Sequence, residues 1–130
     1  MSARFWIVCA GIAGATGVIA GAFGAHGLEK WASEDLLEIW RTGSTYQLFH
    51  APALLGVGLL VQAYGNRRAF SISGWAFLTG IVVFSGSLYL LVLTGQRWLG
   101  PITPIGGLSL ILGWLALIFA DRGEAKREGS

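Results

Sequence analysis

Residues 72–94 read ISGWAFLTGIVVFSGSLYLLVLT, an apolar run without one ionised side chain. A helix needs about 17–25 residues to cross a hydrocarbon core of ~30 Å, and this run has that length. Three stretches of similar character lie around it, at 5–25, 47–64 and 103–120. Together they predict an all-α integral membrane protein, a left-handed four-helix antiparallel bundle filling residues 1–130 as one membrane domain. Composition agrees, since 54% hydrophobic and 12% charged residues would make a soluble fold of this size aggregate. No room remains for a separate catalytic domain, so any site must lie within the bundle or on its loops.

The connections are short. Between the first two spans, Ser33 is placed to cap a short helix over 33–42, with Glu34 and Asp35 favouring the positive end of its dipole. Leu36, Leu37 and Trp40 share one face of it, the pattern of an amphipathic helix lying in the membrane interface. Asn66, Arg67 and Arg68 make the second turn, Gly95 to Gly100 the third, and Thr103-Pro104 starts the last span. Residues 121–130 form a charged tail, expected to be frayed and solvated. The triplet Ala20-Gly21-Ala22 imitates a leader cleavage site, but the apolar run is longer than a leader core and glycines continue through it, so a retained span is expected.

With four spans, Arg4, Arg67, Arg68, Arg122, Lys126 and Arg127 share a side, opposite Lys30, Arg41 and Arg97. The positive-inside rule then places both termini in the cytoplasm of a bacterial cytoplasmic (inner) membrane. The net charge of +2 is too small and dispersed for nucleic acid. Trp6, Trp75, Trp98 and Trp114 read as interfacial anchors, and Cys9, the lone cysteine, as a small packing residue.

Small residues recur at steps of three and four in the first span (Ala10, Gly14, Gly17, Gly21, Gly24) and the fourth (Gly106, Ser109, Gly113, Ala116, Ala120). Such stripes let helix backbones approach closely in lipid. The expectation is close contact between the first and fourth helices, although either stripe also suits a homo-oligomer.

His26 ends the first span, and His50 lies about a turn inside the second. The topology puts both near the same outer boundary, where Tyr46, Gln47, Ser87 and Tyr89 are further candidate ligand-binding residues and Ser85 extends their polar face. A neutral imidazole there suits a haem edge, a metal or a quinone-like carbonyl. Against this, two histidines are fewer than the three or four ligands of a zinc site, and buried polar groups commonly cross-link helices. No base stands near a serine and no triad spacing is present, so no catalytic residue is assigned. Pro52 removes the donor to the Leu48 carbonyl, and a kink is expected beside His50.

The blocks Gly21-Ala22-Phe23-Gly24-Ala25-His26-Gly27, Tyr46-Gln47-Leu48-Phe49-His50-Ala51, Phe84-Ser85-Gly86-Ser87-Leu88-Tyr89 and Thr103-Pro104-Ile105-Gly106-Gly107 occur in that order. In these the chain resembles the family of small membrane proteins of unknown function typified by bacterial YgdD and YwdK and animal transmembrane protein 256 (domain of unknown function 423). Pro52 departs from the leucine expected by that likeness. The resemblance implies a multi-pass membrane protein and marks His26 and His50 as motif positions, but it supplies no reaction, cofactor or catalytic residue. The functional expectation is therefore a non-enzymatic accessory or scaffold protein that binds a larger membrane complex or lipid. Its rival is a ligand-binding or redox-associated protein using His26 and His50 near the outer interface.

Overall fold

The computed structural model describes residues 1–120, and the charged tail expected at 121–130 lies outside them. Its four membrane-length helices begin with α1 (Ala3–His26) and α2 (Glu34–Tyr64). The third span is α3 (Arg68–Gly80), a π-helical turn (Ile81–Ser85) and α4 (Gly86–Thr94), and the fourth is α5 (Thr103–Ile118). The chain is an all-α membrane bundle. Short 3-10 turns at Leu28–Lys30 and Arg97–Ile102 close the connections at one end.

The ends follow capping chemistry. Ser2 accepts from Phe5 N, and Ser33 from Leu36 N, each satisfying a donor that the first helical turn leaves over. α2 and α4 stop at Gly65 and Gly95, whose φ values of 86° and 72° suit a residue without a Cβ.

One element differs from the sequence expectation. The segment from Glu34 is helical and capped by Ser33, but it is not a separate interfacial helix, because α2 runs from it without a break to Tyr64. Its apolar face meets protein instead of a bilayer surface: Leu37 and Trp40 cluster with Leu28 and Val92. Trp40 Nε1 also donates to Ala20 O at 2.7 Å. Gly43 lies within this unbroken helix, and the Tyr89 ring packs against it so closely that an added Cβ would lie 2.9 Å from Tyr89 Cε1. The helix continues through Pro52, which stays exposed.

The glycine seams are real contacts, but their partners are not those expected. On α1, Gly14 faces Ala51, Gly17 faces Leu48 and Gly24 faces Trp40, all on α2. On α5, Gly106 lies against the Phe84 backbone and Gly113 against the Phe77 ring, both on the third span. Each stripe is thus consumed within an antiparallel hairpin, and α1 and α5 share no extended face. Gly21 faces open space and belongs to no seam. The two hairpins join through α2 and the third span, the more buried pair. There Ala51, Leu54, Val57, Phe70, Phe77 and Ile81 form the main core with Trp6.

Candidate functional site

Height in the bundle follows from the contacts that pair the helices. Gly58 meets Ile7, Ala51 meets Gly14 and Trp40 meets Gly24, while Gly80 meets Leu110 and Phe77 meets Gly113. His50 therefore stands beside the middle of α1, close to the middle of α2 itself. It is not at the outer boundary that a span beginning at residue 47 implied. The added turns of α2 move its midpoint to this residue.

His50 is 7% exposed and has both ring nitrogens engaged. Trp114 Nε1, on α5, donates to His50 Nε2 at 3.0 Å, and His50 Nδ1 lies 2.6 Å from Tyr46 O. An indole N–H is only a donor, so Nε2 must offer its lone pair and the proton sits on Nδ1, donating to the Tyr46 carbonyl. These two bonds select one neutral tautomer. The ring stacks on Tyr46 and packs against Phe77 and Trp114, with centroids 6.2, 5.7 and 5.8 Å away. Beside it a lateral groove of about 560 Å³ runs between α2 and α5, lined by Tyr46, His50, Phe84, Pro104 and Trp114.

One turn away, Gln47 faces α1. Its Nε2 donates to Ala13 O at 2.9 Å and to Thr16 Oγ1 at 2.7 Å, while its Oε1 accepts from the Tyr89 hydroxyl at 2.7 Å. Three helices are tied through one amide. Double-mutant cycles in a natural helical membrane protein value such interhelical bonds at about 0.6 kcal/mol each, up to ~1.7 kcal/mol.

The remaining candidates disperse. His26 is exposed at the loop end of α1. By the same pairing it lies level with α2 residues near Glu38, roughly 18 Å along the axis from His50 at 1.5 Å per residue. The two histidines do not meet. Ser87 Oγ bonds Phe84 O at 2.9 Å and Thr103 Oγ1 at 2.7 Å, fastening α4 to the start of α5. Ser85 Oγ instead crosses to Gly43 O at 2.6 Å. Among the described residues no three His, Cys, Asp or Glu side chains gather as metal ligands.

Two tryptophans depart from the anchor reading. Trp6 is fully buried, and its Nε1 has no hydrogen-bond partner among the described residues, while Trp114 is the partner of His50.

A family model described as a protein of unknown function (DUF423) matches residues 20–107, taking in His50, Gln47, Tyr89 and the π-helical turn. The chain belongs to the DUF423 family. A UPF0382 membrane protein of Staphylococcus epidermidis is 49% identical to this DUF423 chain over 100 residues, 77% of the chain and 80% of the relative. The UPF0382 membrane protein SAB0533 of Staphylococcus aureus is 42% identical over 117 residues, 90% of the chain and 94% of the relative. UPF0382 membrane protein YwdK of Bacillus subtilis is 38% identical over 117 residues, 90% and 95% respectively. No solved structure matches the DUF423 chain.

Proposed function

We propose that this membrane protein is a non-enzymatic accessory unit, a compact helical bundle that docks laterally on a larger membrane complex or on lipid. The observation that carries the reading is the use made of its central polar groups. Both nitrogens of His50 and every hydrogen-bonding atom of the Gln47 amide hold one helix to another or to its own turn. Polar side chains that serve transport or catalysis in a membrane keep hydrogen-bonding atoms free toward a cavity or water, whereas these, although His50 borders the lateral groove, spend theirs on the bundle itself. The outward faces of α1 and α5 present Val18, Ile19, Leu108, Ile111 and Ile118 for lateral contact. The arginines at the terminal end support a cytoplasmic location for both termini.

Photo-cross-linking from Val18 and Ile118 in native membranes tests the reading. A recurrent larger protein adduct is expected, and isolated monomers at both positions would refute it.

A second reading rests on the groove beside Tyr46, His50 and Trp114. Here His50 acts without His26, as one wall of an apolar binding groove at mid-membrane height. Native mass spectrometry of gently extracted protein separates the readings: a small-molecule mass lost in His50→Ala favours the groove.

A further inference from the structure

The four carboxylates among the described residues, Glu29, Glu34, Asp35 and Glu38, all lie at the loop end of the bundle, together with Lys30, Arg41 and Arg97. Arg4, Arg67 and Arg68 lie at the other end, with the N-terminus. A groove of about 400 Å³ opens between α3 and α5, with Arg68 at its mouth and Ile72, Trp75, Ser109 and Leu112 along its walls.

Depth gives this groove its chemistry. Gly80 marks the middle of the third span, so Arg68, twelve residues away, stands roughly 18 Å from the midplane at 1.5 Å per residue. Half a hydrocarbon core is only ~15 Å, which puts the guanidinium at the level of lipid phosphates. Arg68 is exposed and meets no carboxylate among the described residues. Trp75 lies two turns deeper on the same face, half exposed, and its ring is held by Phe5 and Trp6 at centroid distances of 5.5 and 5.3 Å. Helical side chains lean toward their own N-terminus, which here directs the indole toward Arg68 and the headgroups. The indole N–H has no acceptor among the described residues. A cation thus stands above an apolar slot, with a neutral donor partway down its wall.

We infer that this groove is a binding site for an anionic phospholipid of the leaflet on the side of the termini. The phosphate meets Arg68, and an acyl chain runs down the slot past Ile72 and Leu112 toward Trp75. The Arg68 guanidinium, with no carboxylate beside it among the described residues, selects a phospholipid with net negative charge over a zwitterionic one. The site stands independently of any protein partner, so a failed search for such a partner leaves it intact.

The test uses the full chain in nanodiscs of equal phosphatidylglycerol and phosphatidylcholine, followed by native mass spectrometry of retained lipid. Wild type is expected to keep one phosphatidylglycerol in preference. Arg68→Gln should reduce that preference about fivefold, the contribution of one interfacial arginine, while Arg68→Lys keeps most of it. Ile72→Trp, which fills the slot without changing charge, should lower retention of both lipids. Arg4→Gln, outside the groove, should change nothing. Equal retention of the two lipids by wild type overturns the site, as does an equal loss in Arg4→Gln, which would mean diffuse attraction to the end of the bundle.

Discussion

Trp114 donates its indole N–H across the bundle to His50 Nε2, 3.0 Å away, and this bond joins the hairpin of α1 and α2 to that of the third span and α5. A tryptophan donor commits the histidine to accepting, so the pair also sets the proton on Nδ1. Replacing Trp114 with Phe keeps a ring against Phe77 but removes the donor. Trp114→Phe is expected to cost about 1 kcal/mol, and a double-mutant cycle with His50→Leu should return a coupling of ~0.6–1.7 kcal/mol. Unfolding in mixed micelles measures both, and strictly additive single effects would deny the bond.

Gln47 allows a test of satisfaction as opposed to attraction. Gln47→Leu leaves the Tyr89 hydroxyl without its acceptor, while Thr16 keeps its bond to Ile12 O at 2.7 Å. An unsatisfied buried group costs about 1–3 kcal/mol, whereas removing both partners is close to neutral. Gln47→Leu with Tyr89→Phe should therefore be more stable than Gln47→Leu alone. A double variant less stable than the single would contradict the network.

The glycines divide by what lies opposite them. An alanine Cβ at Gly106 would fall on the Phe84 backbone, which cannot turn aside as a side chain can. Gly106→Ala is expected to destabilise by about 1–3 kcal/mol through overpacking. At Gly21 nothing lies within 4 Å, so Gly21→Ala should be neutral or stabilise by up to ~1 kcal/mol through helix propensity. Thermal unfolding of the two variants in one detergent compares them directly, and equal shifts would erase the distinction.

That contrast also shows what the sequence could carry. Hydropathy over some twenty residues is enough to mark a span, and His50 and Gln47 stood out because polar side chains are costly in an apolar run. Which helix a seam meets was not legible, since a small-residue stripe fits any close neighbour. Gly17 meeting Leu48 and Gly113 meeting Phe77 look, in sequence, the same as a meeting of α1 with α5. The π-helical turn at Ile81–Ser85 has no residue signature of its own; it accompanies the approach of Gly106 to Phe84 and the reach of Ser85 to Gly43 O. The position of His50 was missed for one reason. Leu37 and Trp40 form an amphipathic pattern that is identical whether it faces a bilayer surface or neighbouring helices, so the start of α2 was set too late.

Gly43 decides between those two environments. Were the first turns of α2 a surface helix, Gly43 would lie in a hinge and an alanine there would be harmless. In the continuous helix an added Cβ lies 2.9 Å from Tyr89 Cε1 and 3.4 Å from Leu88 Cβ, so the Tyr89 ring must shift. That ring carries the hydroxyl bonded to Gln47 and packs on Trp40 with centroids 4.5 Å apart. Gly43→Ala should therefore loosen Tyr89 from both, costing about 1–3 kcal/mol by overpacking. In a Tyr89→Phe background the added cost should shrink, because the hydrogen bond to Gln47 is already gone. Unfolding of the four variants gives the answer: a harmless Gly43→Ala would restore the surface helix, and a penalty that falls with Tyr89→Phe locates the damage at the Tyr89 to Gln47 bond.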